Sequence, residues 1–141
     1  MKTLFITSTC EYCGKTLVAL GLGKRLKSDG FKVGYMKMLG MFPTTMNGII
    51  VDSDASIVCD VLELKDSPEY ISPIIMTQDM IAQAYNGEDL GLAEKFIQAH
   101  KEISKDKDVV IVEGTGMFGE GSLLGLSAKD MINRLDADVV L

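Results

Sequence analysis

STCEYCGKT, residues 8–16, follows directly on the apolar run TLFIT at residues 3–7, and the pair sets the reading of the whole chain. A short, β-branched, uninterrupted apolar run reads as an interior strand of a parallel sheet. After the loop, TLVALGLGKRLKSDG places Leu17, Leu20 and Ala19 on one face, gathers Lys24, Arg25 and Lys27 near its end and stops at Gly30, which predicts a helix from Thr16 to about Asp29. Gly14, Lys15 and Thr16 close a phosphate-binding loop of the GxxxxGK(S/T) kind, with Ser8 or Thr9 where the first glycine would stand. Each part has a physical task. Gly14 lets the backbone fold over a phosphate, the first-turn N–H groups and the helix dipole favour negative charge, Lys15 supplies a cation and the Thr16 hydroxyl suits Mg²⁺. A plain glycine-lysine turn into a surface helix is the other reading.

The same stretch holds Cys10 and Cys13 in a Cys-x-x-Cys pair, the pattern of a redox or metal site. Zinc needs four ligands, and only Cys59 and His100 remain as soft donors, at no recognised spacing. A thioredoxin-like pair is the stronger rival, because thiols at a helix start are acidified. The third reading makes Cys13 a small residue packed under the loop and Cys10 a loop-tip residue.

Strand and helix signals continue to alternate. FKVGYMKML, residues 31–39, reads as a second strand, residues 40–53 as a loop, and about Asp54 to Leu64 as a helix. SPEYISPIIMT reads as an extended connection, Thr77 caps a short helix to about Tyr85, and Leu92, Ala93, Phe96, Ile97 and Ile103 form the buried stripe of a helix over about 89–105. DVVIVEGTG is a buried strand, SAKDMINRL a helix opened by Ser127, and ADVVL a further buried strand. This order predicts a single domain over 1–141 with helices on both faces of a mostly parallel sheet, and ligands outside the carboxyl ends of the strands. Glu113 ends one of those strands, where it either holds Mg²⁺ or caps the strand in solvent. Lys37 ends another, either to reach a phosphoryl group or as an exposed lysine. Asp52 and Asp54 precede a helix and either cap it or bind metal. His100, toward a helix end, reads as a surface or dipole-stabilising residue, and the methionines as gap-fillers of core and loops.

Composition narrows the classes. No apolar run approaches the roughly 18 residues of a membrane span, and a net charge of -6 argues against nucleic acid or an anionic membrane as partner. The opening residues lack a cleavage site, and three cysteines, an odd number, point to free thiols in the cytoplasm.

ITSTCEYCGKT, GYMKMLG, DSDA, VVIVEGTG and GSLLGLSAKDMINRLDADVVL, in that order, resemble the P-loop family of dethiobiotin synthetase. The likeness is nearer to the dethiobiotin-synthetase-like domain at the N-terminus of phosphotransacetylases, with the synthetase domain of cobyrinic acid amidotransferases a further relative. The resemblance implies a three-layer α/β/α P-loop NTPase fold that binds ATP and Mg²⁺ and passes the γ-phosphate to a carboxylate or carbamate acceptor. It places the nucleotide on Ser8, Thr9, Cys10, Glu11, Tyr12, Cys13, Gly14, Lys15 and Thr16. Lys15 and Lys37 would stabilise the transferring phosphoryl group, and Thr16, Asp54 and Glu113 would hold Mg²⁺. A non-catalytic nucleotide-sensing module is the alternative that the phosphotransacetylase relatives suggest. This chain differs from the family in its missing first loop glycine and in KMLG, where a proline usually follows the lysine. The family's domain also continues beyond the strand in ADVVL, which implies a truncated chain, part of a longer one, or a homodimer that covers the open edge.

Overall fold

The computed structural model describes residues 1–141. Strands β1 (Lys2–Ile6), β2 (Val33–Lys37), β5 (Val109–Glu113) and β6 (Asp138–Val140) form one parallel sheet in the order β2-β5-β1-β6. Between them run α1 (Lys15–Ser28), α2 (Ser53–Leu62), the single turn α3 (Pro68–Ile71), α4 (Gln78–Tyr85), α5 (Leu92–Ser104) and α6 (Ala128–Leu135). From β1 the chain crosses through α1 to β2 at one edge, whereas from β5 it crosses through α6 to β6 at the other. The direction of winding therefore reverses between β1 and β5, and a crevice opens outside their carboxyl ends.

Side-chain alternation divides the sheet into two faces. Thr3, Gly34 and Val110 share a face with α5: a Cβ on Gly34 would stand 2.8 Å from Cγ2 of Ile103, and the Thr3 hydroxyl lies 3.1 Å from Nε2 of His100. Tyr35, Lys37, Ile111 and Glu113 point to the opposite face, toward α1 and α2. Both faces are covered, which is why every residue of β2 and β5 is buried. A continuous core of 25 buried residues fills the space between sheet and helices.

Several readings differ from the structure, among them that of ADVVL, whose strand β6 is largely exposed, with Val139 at 50%, and not buried. Residues 43–52 form an antiparallel hairpin, β3 (Pro43–Met46) and β4 (Ile49–Asp52), in place of a loop. Asn47 and Gly48 turn it with φ of 52° and 81°, the left-handed pair that a two-residue hairpin turn requires. SPEYISPIIMT contains the α3 turn, and Ile75 bridges to Gly40 beyond the end of β2. His100 is buried against Thr3 instead of lying on the surface, and burial lowers its pKa, so it is a neutral packing group. Leu17 departs as well: α1 buries Lys15, Ala19 and Gly23, and leaves Leu17 at the crevice rim. The helix caps agree with expectation, Thr77 accepting from the Met80 N–H at 3.2 Å and Ser127 from the Asp130 N–H at 3.4 Å.

Two glycines of α1 sit in opposite environments. A Cβ on Gly21 meets nothing within 4 Å, whereas one on Gly23 runs into the buried side chain of Leu62 on α2. Alanine gains about 1 kcal/mol over glycine in a helix, and overpacking costs about 1–3 kcal/mol. Chemical denaturation is expected to show Gly21→Ala stabilised by roughly 0.5–1 kcal/mol and Gly23→Ala destabilised by about 1 kcal/mol. Equal effects at the two positions would show that α1 and α2 do not pack as closely as described.

Candidate functional site

The loop from Thr7 to Gly14 leaves the carboxyl end of β1 beside the loop that leaves β5. Several bonds tie the two together. The Gly114 N–H donates to Ile6 O at 2.9 Å, the Phe118 N–H to Ser8 O at 3.1 Å, and the Ser8 hydroxyl to Gly116 O at 3.1 Å and Cys10 O at 2.7 Å. Gly114 is constrained: a Cβ there would meet the Phe5 ring at 2.9 Å and Ile6 O at 3.1 Å. Ser8, one of the two positions where the first loop glycine would stand, is thus a strut that pins the loop to residues 116–118.

Between these anchors the backbone is open. No N–H group from Thr9 to Leu17 has a hydrogen-bond partner within the protein, although nearly all main-chain donors in a folded protein are paired. Gly14 caps α1 with φ 89° and no side-chain cap, so the first-turn donors face the crevice. Thr7, at the root of the loop, is buried with its hydroxyl unpaired. Such a run of outward N–H groups at a helix start is a cradle for an anion. Lys15 lies at its floor, its ammonium donating to Gly116 O at 2.8 Å and Ser8 Oγ at 2.9 Å, with a third donor left.

Beside the cradle the predicted acids and the second lysine meet. Lys37 and Glu113 are direct partners in the β2–β5 ladder. The Lys37 Nζ lies 2.8 Å from Asp54 Oδ2, 3.0 Å from Asp52 Oδ1 and 3.4 Å from Glu113 Oε1. Burial alone would lower the Lys37 pKa, but Glu113, Asp54 and Asp52 outweigh it and leave it raised. The Thr16 hydroxyl donates to Glu113 Oε1 at 2.8 Å, and the Tyr35 hydroxyl to Glu113 Oε2 at 2.8 Å. Burial, reinforced by Glu113, holds the Tyr35 phenol well above its usual pKa, so it remains a neutral donor.

Asp52 anchors this cluster from the hairpin. It caps α2 by accepting the Asp54 N–H at 3.0 Å through Oδ1, and its Oδ2 accepts the N–H groups of Met41 at 2.8 Å and Phe42 at 3.0 Å. Burial would raise its pKa, but the Phe42 N–H, the Lys37 ammonium and the Met41 N–H hold it below the usual carboxylate range. Of the two readings for Asp52 and Asp54, Asp52 is the cap and Lys37 partner, while Asp54 reaches the crevice. Tyr35 and Gly116 are the site residues that the sequence does not single out. The capping reading of Asp52, an acid at a helix start, agrees with the structure.

Lys15, Thr16, Lys37, Asp54 and Glu113 all line one crevice of about 400 Å³, together with Glu11, Tyr12 and Gly14. Leu17, Leu39, Met41 and Phe42 add an apolar wall, and Glu120 an acid. Lys37 and Glu113 are buried, not exposed at their strand ends. No three acidic, histidine or cysteine side chains form a ready cage for a metal, and Mg²⁺ does not require one, since it keeps waters and takes one or two carboxylates plus phosphate. The formal charges also suit a divalent cation: Lys37 against Asp52, Asp54 and Glu113 leaves two net negative charges beside the cradle.

The cysteines are arranged otherwise than expected. Cys10 and Cys13 are paired as a disulfide, with Cα atoms 5.9 Å apart, and both are exposed, so Cys13 is not packed under the loop. The expectation of free thiols holds for Cys59, which is buried and whose pKa burial, with Asp66 and Asp60, pushes up to about 12. Neither Cys59 nor His100 lines the crevice. No helix is long and apolar enough to cross a membrane.

The chain is similar in sequence to several known proteins. The chain is 30% identical over 115 residues to the ATP-dependent dethiobiotin synthetase BioD of Thermodesulfovibrio yellowstonii, covering 79% of this chain and 48% of that one. It is 28% identical to the cobyric acid synthase of Clostridium perfringens, covering 99% and 33%, and 30% identical to the phosphate acetyltransferase of Pseudomonas aeruginosa, covering 100% and 19%. The chain therefore spans about half, a third and a fifth of the length of these relatives. Among solved structures, the signal recognition particle receptor FtsY from Elizabethkingia anophelis matches with a TM-score of 0.54 over 98% of this chain and 40% of that one, at 18% identity, which is a likeness of fold. A family model described as an AAA domain matches residues 2–141, and the chain belongs to that P-loop family.

Proposed function

We propose that this domain binds Mg-ATP and transfers the γ-phosphate to a carboxylate or carbamate oxygen of a small acceptor. The observation that carries the reading is the junction of two kinds of group: unpaired N–H groups from Thr9 to Leu17 above Lys15, and Lys37 with Thr16, Asp54 and Glu113 beside them. The first kind binds phosphate and the second neutralises charge as it moves. Thr16, Asp54 and Glu113 would hold Mg²⁺, which when bound withdraws charge from the phosphate oxygens. Lys15 would position the phosphates from the loop floor. Lys37, held in the ladder opposite Glu113, would face the transferring group and bind it more tightly as negative charge develops. Leu39, Met41 and Phe42 give that side of the crevice an apolar wall. Dethiobiotin synthetase and cobyric acid synthase, both ATP-dependent or synthetic enzymes by name, are relatives consistent with this chemistry. A cytoplasmic setting, and a place in a homodimer or a longer chain, belong to the same reading.

A second reading, a nucleotide-sensing module without turnover, draws on the phosphate acetyltransferase relative, in which the matched region is only 19% of the chain. ATP binding by calorimetry and ADP release, measured on one sample with Mg²⁺, separate the two. Binding with ADP formation supports phosphoryl transfer, binding without ADP in the presence of candidate carboxylate acceptors supports the sensor, and no binding defeats both. Lys15→Ala is expected to weaken ATP binding about 100-fold, the loss of a charge-assisted contact of about 3 kcal/mol. Lys37→Met is expected to abolish ADP formation and to lower stability by about 3–5 kcal/mol, since Asp52 and Glu113 stay buried without their cation, while the folded protein binds ATP within a few-fold of normal.

The loop cysteines give a further expectation. Closure of Cys10 onto Cys13 encloses Tyr12, whose φ of 53° is a left-handed conformation uncommon outside glycine. Opening the pair frees the loop to turn its N–H groups about a phosphate. ATP affinity is therefore expected to rise several-fold with reductant and fall again with oxidant, by about 1 kcal/mol, the cost of one strained residue. The Cys10→Ala, Cys13→Ala double variant should bind ATP with normal affinity under both conditions; equal affinities for the unaltered protein would remove the cysteines from the account.

A further inference from the structure

Glu113 is held by several groups, and one of them has no place in the phosphate chemistry. Tyr35 stands two residues before Lys37 on β2 and opposite Ile111 on β5, so it shares the face of Lys37 and Glu113. Its side chain is fully buried, and its hydroxyl crosses diagonally to donate to Glu113 Oε2 at 2.8 Å. The other oxygen, Oε1, takes the Thr16 hydroxyl at 2.8 Å and lies 3.4 Å from the Lys37 ammonium. The two carboxylate oxygens are thereby divided, Oε2 turned to the core and Oε1 to the crevice.

The division matters because of how the two common divalent cations take carboxylates. Mg²⁺ demands near-ideal octahedral geometry with short bonds of about 2.0–2.1 Å, whereas Ca²⁺ accepts one or both oxygens of a carboxylate at about 2.3–2.6 Å in a flexible shell. Both oxygens of Glu113 accept hydrogen bonds, but Oε2 is held toward the core by a fully buried donor, so only Oε1 is presented on the crevice side. We propose that Tyr35 is a positioning residue for the metal site: by engaging Oε2 it holds Glu113 as a one-oxygen ligand beside Thr16 and so favours Mg²⁺ over Ca²⁺. The inference rests on the Mg-ATP reading above. Tyr35 touches neither nucleotide nor metal and acts only through Glu113.

Tyr35→Phe keeps the ring and removes the hydroxyl. The test is ATP affinity of the full chain, by calorimetry, titrated separately with Mg²⁺ and with Ca²⁺ and measured also in EDTA. Loss of a partner behind a metal ligand typically costs 10–100-fold in metal affinity. The Mg²⁺ concentration for half-maximal tightening is expected to rise about tenfold in Tyr35→Phe, while the Ca²⁺ value moves less than about threefold and affinity in EDTA is unchanged. In a Glu113→Gln background the same substitution should change nothing further. Mg²⁺ midpoints that agree between the protein and Tyr35→Phe, or Mg²⁺ and Ca²⁺ midpoints that shift together, overturn the inference while leaving the Mg-ATP reading in place. Failure of the unaltered protein to bind ATP at all removes that reading and this inference with it. Should Tyr35→Phe not fold, Tyr35→Met, of similar reach and without a donor, gives the same comparison.

Discussion

A lysine and a glutamate facing each other across a parallel ladder, both withdrawn from water, constrain much of this molecule. Removing an ionised group from water costs several kcal/mol even after relaxation, so neither Lys37 nor Glu113 is tolerable alone at the end of a covered sheet. Their own approach, 3.4 Å, is the longest in the cluster. The balance comes from elsewhere: Asp52 and Asp54 around the ammonium, Thr16 and Tyr35 on the two carboxylate oxygens. Each of these partners belongs to a different element, so satisfying one buried pair fixes α1, β2, β4 and α2 relative to the sheet edge.

The hairpin is explained by the same requirement. Asp52 must present one oxygen to Lys37 and the α2 N-terminus while the other accepts two N–H groups from Met41 and Phe42, and only a chain that folds back on itself brings all of these to one carboxylate. Gly40 permits the close return, since a Cβ there would stand 2.8 Å from Cβ of Asp52. The crevice thus gains a wall, Leu39 to Phe42, from a connection that would otherwise be loose.

How much of this is legible in the sequence depends on whether the signal is local. Strands β1 and β5 read as buried because they are uninterrupted apolar runs, and Gly14, Lys15, Thr16 and Glu113 stand out because the motif and the strand end are contiguous in the chain. Asn47-Gly48 is a strong hairpin signal, but Pro43 and a stretch without clear alternation hide it among loop residues; the strands it joins are half exposed and carry little apolar period. His100 lies at a helix position that reads as surface because its partner, Thr3, is 97 residues away. Tyr35 is invisible for a similar reason, since in a strand-forming run an aromatic residue counts as core and nothing marks the hydroxyl as aimed at Glu113. Leu17 follows the apolar period of α1 yet faces the crevice, because the first turn of that helix is exposed beyond the sheet.

The site is assembled from opposites kept a few ångströms apart. The loop offers nine main-chain donors from Thr9 to Leu17 and the Lys15 ammonium, all favouring negative charge, while the neighbouring cluster carries two more negative charges than positive. A polyphosphate alone would be drawn to the first and repelled by the second. A divalent cation reverses the second effect without disturbing the first, so charge complementarity is complete only when anion and cation arrive together. Glu113 sits at the boundary, with Oε1 turned to the crevice and Oε2 to the core. The geometry that lets the cluster discriminate among cations is therefore set from the core, through Tyr35, and not from the solvent side where the ligands enter.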